Sequence, residues 1–156
     1  MFPPQFLAIE RVAGGQDITS KKRLLEVLAG LLASALPHLN AEAIFERLVE
    51  RERLGSTGLG HGVALPHARV KEVGEAVGAF VQLRQAADFD AIDDEPVDLA
   101  FAMLVPEAAT EIHLHLLAQL AAMFGEDGFR SRLRHTEDPA ALFDILIAGV
   151  GQTPDG

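Results

Sequence analysis

The sequence predicts a single α/β domain with a small mixed β-sheet of about five strands, flanked by α-helices on both faces. Segments with helical periodicity alternate with short apolar runs typical of strands. The chain has 156 residues, 49% of them apolar, which suits one domain with a core of its own. We therefore take 1–156 as one domain, with its core at about 5–148 and a frayed tail at 149–156.

Periodicity and capping residues give the order of elements in the N-terminal half. A short strand candidate comes first and is followed by a glycine pair, 14–15, which indicates a break. Two amphipathic helices follow, each preceded by a favourable N-cap residue, Ser20 or Asn40, and Gly55 ends the second. The three elements lie at 5–12, 21–36 and 41–54.

The C-terminal half predicts three apolar strands and three helices. Four glycines within the eight residues 55–62 indicate turns before the first of these strands. The other two apolar runs are longer and typical of central strands. The strand candidates lie at 63–65, 76–83 and 97–105, and the helix candidates at 110–124, 126–134 and 139–148.

Composition argues against several classes of function. The net charge of −10 at pH 7 repels nucleic acid and anionic lipid. The chain has no cysteine, so it can form neither a disulfide nor a thiolate metal site, and it has no cysteine nucleophile. Its first residues do not resemble a signal peptide, and no apolar run approaches the roughly 20 residues of a membrane span. We therefore expect a cytoplasmic protein with no nucleic acid partner and no membrane insertion.

Two of the six histidines lie on the third predicted helix. His113 and His115 are separated by about 200° around the helix axis, so they cannot both face one ligand. A helical projection places His113 within the apolar arc and His115 on the polar side. Taken alone, an inward histidine is more often a hydrogen-bonded core residue than a site residue. We expect His38, His115 and His135 to be ordinary surface side chains.

His67 differs from these because it follows a strand candidate and Pro66, whose fixed φ stiffens the backbone where the strand gives way to a loop. A neutral imidazole carries one free lone pair and can act as a nucleophile, acid or base. Arg69 can supply charge to a phosphoryl oxygen, and Ser56 and Thr57 can supply neutral donors. A glycine turn beside a surface arginine explains these residues equally well.

Two longer strings resemble a known family. Residues 51–69, RERLGSTGLGHGVALPHAR, resemble the signature of the mannitol/fructose-type (type 2) enzyme IIA domains of bacterial phosphoenolpyruvate-dependent phosphotransferase systems. Residues 111–120, EIHLHLLAQL, resemble the second site motif of that family. The lead into the first helix, SKKRLLE at 20–26, resembles its nitrogen-regulatory branch, in which a phosphorylated IIA protein is a signal rather than a step in sugar uptake.

The resemblance implies a role for each matched residue. His67 matches the histidine that accepts a phosphoryl group on Nε2 from a phosphorylated HPr-like carrier. His113 matches the histidine beside it that holds the phosphoryl group or orients the ring, and Arg51 matches the arginine near that pair. Position 61, commonly asparagine in the family, is a histidine here. We count His61 with Ser56, Thr57 and Arg69 as lining the pocket, without a catalytic role, and expect it at most to tune pH dependence.

These matches imply a phosphotransferase component with a phosphohistidine intermediate, acting as a phosphocarrier and as a regulator of other proteins. We expect no cofactor and no metal, since the donor is already reactive and the protein has mainly to position groups and stabilise charge. The surface around His67 is expected to be apolar and shallow, so that a small carrier can dock.

Three alternatives remain open. The first is a free-standing fructose/mannitol-type IIA that passes phosphate to a IIB partner. The second is a metal hydrolase with His61, His67 and His113 as ligands, and the third is an interaction module that is not phosphorylated.

Overall fold

The computed structural model of the protein describes residues 5–91, 93–108 and 110–151. Within these residues, six strands form one sheet and five α-helices cover it. The strands are β1 (Val12–Gln16), β2 (Gly58–Gly60), β3 (Val63–Ala64), β4 (His67–Val70), β5 (Val77–Ala87) and β6 (Val97–Pro106). The helices are α1 (Lys21–Ala33), α2 (Ala41–Arg53), α3 (Thr110–Phe124), α4 (Asp127–Arg134) and α5 (Pro139–Gly151).

The sheet runs β1-β5-β6-β3-β2, with β4 also paired to β6. The long strands β5 and β6 are antiparallel neighbours at its centre, as their apolar runs predict. Along the other side of β6 lie β3 and then β4, both parallel to it, with Val63 opposite Leu99 and His67 opposite Met103. Pro66 stands between these strands and accepts a hydrogen bond from the Met103 amide through its carbonyl, at 2.9 Å.

The prediction that the chain enters a loop at Pro66-His67 is therefore wrong. The chain continues into β4, and His67 is the first residue of that strand. Proline lacks an N–H, but the bond made at this position requires only its carbonyl.

Two apolar clusters lie on opposite faces of the sheet. The cluster under α1 and α2 includes Leu24, Leu28, Ile44 and Leu48, all fully buried. The cluster under α3, α4 and α5 contains a group of packed phenylalanine rings. Full burial of each such side chain contributes about 1.5–3 kcal/mol. The predicted fold class, a mixed sheet with helices on both faces, is confirmed.

Both predicted N-caps are confirmed. The Ser20 hydroxyl accepts a hydrogen bond from the Arg23 amide at 3.1 Å, and Asn40 Oδ1 accepts one from the Ala43 amide at 2.8 Å. Each satisfies one amide that the first helical turn leaves unpaired. No helix within the described residues has the length and apolarity needed to cross a lipid bilayer.

The first strand was misplaced by the sequence analysis. Residues 9–11 form a 3-10 helix, and β1 begins only at Val12 and contains the glycine pair expected to break it. A Cβ at Gly14 would collide with the backbone carbonyl of Glu137, so this glycine permits a close approach within a strand. At the other end of the chain, α5 continues to Gly151, and 152–156 of the predicted tail lie outside the described residues.

Candidate functional site

His67 is buried at the start of β4, with 9% of its surface exposed. Its Nδ1 lies 2.7 Å from the carbonyl oxygen of Leu65, two residues back along the chain. Because a carbonyl can only accept, the neutral ring carries its proton on Nδ1 and its lone pair on Nε2. The path of the backbone through Pro66 thus selects Nε2 as the nucleophilic nitrogen.

His113 lies on α3 and points inward, as the helical projection predicts. Its ring centroid is 5.0 Å from that of His67, and the two ring planes make an angle of 61°. The Nδ1 atom of His113 is buried and has no hydrogen-bond partner among the described residues. The predicted exposure of His38, His115 and His135 is also confirmed.

Both histidines are held in the neutral form. Burial lowers the pKa of His67 to about 4; the Leu65 carbonyl opposes this shift, and the charges of Arg51 and His113 add to it. Burial also lowers the pKa of His113, and the nearby charges of Arg69 and Arg51 lower it further. Near neutral pH the lone pair on Nε2 of His67 is therefore available to attack.

An open cleft of about 820 Å³ holds the histidine pair between α2, β4 and the start of α3. Leu54 and Leu114, 84% and 62% exposed, lie on its lining. The prediction of an apolar surface is confirmed only at these leucines, because charged side chains make up half of the lining. The cleft is lined by Arg47, Glu50, Arg51, Leu54, His67, Ala68, Arg69, Glu107, His113 and Leu114.

Arginines bring positive charge to this cleft on a chain whose net charge is −10. Arg51, half-buried near the end of α2, donates from Nη1 to the Gly55 carbonyl at 2.9 Å. Arg69 is exposed on β4 and lines the same cleft. The structure therefore brings His67, His113, Arg51 and Arg69 together, which suits the binding of a doubly charged anion.

Comparison with known proteins identifies the family. The chain matches the family described as "Phosphoenolpyruvate-dependent sugar phosphotransferase system, EIIA 2" over residues 5–149. The protein belongs to this family. The type 2 IIA resemblance inferred from the motifs is thereby confirmed, and the chain is a phosphotransferase system component.

Several similar relatives carry the name of the nitrogen-regulatory branch. A nitrogen regulatory protein of Pseudomonas aeruginosa is 49% identical over 140 residues, covering 90% of this chain and 88% of that protein. One from Escherichia coli is 44% identical over 137 residues, covering 87% and 83%. The crystal structure of nitrogen regulatory protein IIA-Ntr from Neisseria meningitidis superposes with a TM-score of 0.85 at 41% identity, covering 90% and 96%.

Ser56 and Thr57 do not line the cleft of this EIIA 2 domain. The Thr57 amide and hydroxyl both donate to the Glu52 carboxylate, at 2.9 and 2.8 Å. Ser56 Oγ donates to the Phe89 carbonyl at 3.3 Å and accepts from the Gly58 amide at 3.1 Å. The predicted donors are thus occupied in holding the loop. Glu52 was not recognised from the sequence, although it is an acid near the end of a predicted helix and shortly precedes a Ser-Thr pair.

His61 is also placed away from the histidine pair. It lines a separate hollow of about 530 Å³ with Asp93, Asp98 and Arg134. The hydrolase alternative required His61, His67 and His113 to converge, and they do not. Among the described residues, no three His, Cys, Asp or Glu side chains are grouped as metal ligands.

Proposed function

We propose that this protein accepts a phosphoryl group on Nε2 of His67 from a phosphorylated HPr-like carrier, and that its phosphorylation state is a nitrogen-related regulatory signal. One observation carries the proposal: the bond between Nδ1 of His67 and the Leu65 carbonyl leaves the lone pair on Nε2, beside His113. The relatives at 49% and 44% identity, both named nitrogen regulatory protein, favour this branch over the sugar-uptake alternative.

In the proposed step, the Nε2 lone pair of His67 attacks phosphorus in line as the P–N bond to the carrier histidine breaks. The carrier nitrogen keeps the electron pair of the broken bond. Nδ1 of His67 retains its proton, so the phosphorylated ring is a cation whose N–H still donates to Leu65. Arg51 and Arg69 offset the charge on the transferred oxygens, and His113 holds one of them.

The carrier would dock on the mouth of the cleft. Leu54 and Leu114 supply exposed apolar contacts on its lining, and the arginines face the incoming phosphoryl group. A carrier with basic residues around its histidine would be attracted by the net charge of −10, which speeds association at low salt. We propose that this exchange takes place in the cytoplasm and that regulatory targets distinguish the two phosphorylation states.

Incubation with phosphoenolpyruvate, enzyme I and the HPr-like carrier tests the transfer. We expect one phosphate per chain, labile in acid and stable in base, and none on His67→Ala. An unlabelled wild-type chain would favour the interaction module. Addition of a fructose- or mannitol-type IIB then separates the branches: the regulatory proposal predicts no onward transfer to sugar. Pull-downs with wild type, His67→Ala and His67→Asp would identify targets that depend on the charge at this site.

A further inference from the structure

We infer that Glu52 is a positioning residue that sets the geometry of both His67 and Arg51. The inference rests on the proposed phosphoryl transfer, since it assigns the support of that site. Glu52 does not line the cleft, and its side chain is 5% exposed. One chain of hydrogen bonds nevertheless connects its carboxylate to the ring of His67, and a second connects its backbone carbonyl, through Gly55, to the guanidinium of Arg51.

The chain to His67 has three steps. Both carboxylate oxygens of Glu52 accept from the Thr57 amide, at 3.1 and 2.9 Å, and Oε1 also accepts from the Thr57 hydroxyl. The Thr57 carbonyl accepts from the Leu65 amide at 3.0 Å. The Leu65 carbonyl then accepts from Nδ1 of His67 at 2.7 Å. Thr57 is thus held on one side by Glu52 and on the other holds the residue that orients the catalytic ring.

The chain to Arg51 is shorter. The carbonyl of Gly55 accepts from Nη1 of Arg51 at 2.9 Å, and the Gly55 amide donates to the Glu52 carbonyl at 3.1 Å. Only Ser56 separates Gly55 from Thr57, so a carboxylate that fixes Thr57 also restricts where the Gly55 carbonyl can lie. Gly55 has a φ of +151°, and glycine can adopt many other backbone conformations. The hydrogen bonds from Thr57 to Glu52 therefore help to select one conformation at Gly55.

Glu52 is itself held in place by Lys21, the first residue of α1. Lys21 Nζ lies 3.6 Å from Oε1 and 4.5 Å from the centre of the Phe89 ring. A buried carboxylate is stable only when its charge is paired and its oxygens are hydrogen-bonded, and both conditions are met here. The carboxylate is therefore a fixed point between α1, α2 and the glycine-rich segment 55–62, the glycine loop. A phosphoryl-transfer site requires such support, because its groups must be held to a fraction of an ångström.

Two variants test the inference, with a matched control for each. Glu52→Gln removes the charge and one acceptor, and Thr57→Val removes the hydroxyl while keeping the backbone bonds. Asp98→Asn removes a carboxylate that pairs with Arg134, and Thr136→Val removes a hydroxyl bonded to the Arg132 carbonyl, both outside the cleft. Each variant is compared for thermal stability, for rate of phosphoryl acceptance and for the ring ¹⁵N shifts of His67.

We expect Glu52→Gln to lower the rate of phosphoryl acceptance roughly 10- to 100-fold, mainly in kcat and little in KM for the carrier. Its His67 ring should move from one tautomer, protonated on Nδ1, to a mixture of two. Thr57→Val should also lower the rate of phosphoryl acceptance and mix the two His67 tautomers, but to a smaller extent than Glu52→Gln. Thr57→Ser, which keeps the hydroxyl, should restore the wild-type rate and tautomer. The controls Asp98→Asn and Thr136→Val should lower thermal stability but leave the His67 tautomer and the rate of phosphoryl acceptance unchanged.

The tautomer is measured on the unphosphorylated protein, so the inference survives or fails separately from the proposed function. A wild type that accepts no phosphate would overturn the proposed function alone. If both Glu52→Gln and Thr57→Val fold and show the same His67 ring ¹⁵N shifts and the same rate of phosphoryl acceptance as wild type, the inference alone is overturned. If Glu52→Gln does not fold, Thr57→Val with its serine rescue decides the outcome.

Discussion

The imidazole of His113 lies 5.0 Å from that of His67, centroid to centroid, although the two residues come from a helix and a strand far apart in the chain. Tilted at 61°, the rings do not stack, so each can present a nitrogen to a group bound between them. Burial and the adjacent arginines lower the pKa of both. The pair is therefore suited to transfer of a phosphoryl group to one ring with stabilisation by the other.

His113→Ala tests the second half of this pair. If His113 donates to the transferred oxygens, as proposed, its loss should reduce the transfer rate roughly hundredfold and change the lifetime of the phosphate, while the protein still folds. Stopped-flow transfer from the phosphorylated carrier measures the rate. His115→Ala, on the exposed side of the same helix, is the matched control. Unchanged rate and lifetime would return His113 to the role of a core residue.

The lowered pKa of His67 predicts a specific pH dependence. Above its ordinary pKa of 6.5, His67 is neutral in both the folded and the unfolded chain. Between pH 6.5 and about 4, the unfolded chain takes up a proton that the folded chain does not, so the free energy of unfolding falls as pH falls. At about 1.4 kcal/mol per pH unit, the loss over this window approaches about 3.5 kcal/mol for this residue.

Two measurements check this prediction. The His67 ring should titrate near pH 4 by NMR, and His67→Gln should lose less stability than wild type across the same window. The lowered pKa of His113 contributes in the same direction in both proteins, so their difference isolates His67. A His67 ring that titrates near 6.5 would contradict the account of its burial.

Arg51→Ala is expected to change two properties together. Because the Arg51 charge lowers the pKa of both histidines, its removal should raise both. If Arg51 offsets the charge of the phosphoryl oxygens, as proposed, its removal should also slow transfer roughly 10- to 100-fold. Arg51→Lys should recover part of the electrostatic effect, since lysine keeps the charge without the planar fork. Arg53→Ala, exposed at the end of the same helix, is the control; equal effects of the two alanine variants would contradict this role.

His61→Asn introduces the asparagine that the family resemblance leads us to expect at this position. His61 has a φ of +58°, in the left-handed region where asparagine is favoured over most residues with a side chain. The substitution should stabilise the fold by less than about 1 kcal/mol, because histidine itself tolerates this region, and leave phosphoryl transfer and its pH profile unchanged. Chemical denaturation measures the first effect, with His38→Asn as control. A shifted pH profile would restore the expectation that His61 tunes the site.

Much of the fold was predictable because its helices are long enough to show periodicity. The N-caps Ser20 and Asn40 and the central strands β5 and β6 were found from local pattern alone. The strands β2 and β4 were not, because three or four residues beside glycines or a proline carry no periodic signal. The misplacement of β1 has a tertiary cause, since Gly14 is set by its contact with Glu137 and not by a turn.

The same limit applies to the site. The motifs predicted His67, His113 and Arg51 as site residues. The helical projection predicted that His113 points inward, without any knowledge of the sheet. No spacing rule could show that Thr57 is bound to Glu52, or that His61 faces a different hollow. Both outcomes depend on how the glycine loop packs against neighbouring elements. The sequence shows which groups can donate a hydrogen bond, and only the structure shows which of them are already occupied.

The nitrogen that carries the phosphoryl group is the most direct test of the central claim. Long-range ¹H–¹⁵N NMR of protein phosphorylated by phosphoenolpyruvate, enzyme I and the HPr-like carrier distinguishes the two ring nitrogens. The hydrogen bond from Nδ1 of His67 to the Leu65 carbonyl predicts a single phosphoryl group on Nε2 of His67, with Nδ1 still protonated. Phosphorylation at Nδ1 of His67, on His113, or on a chain carrying His67→Ala would contradict it.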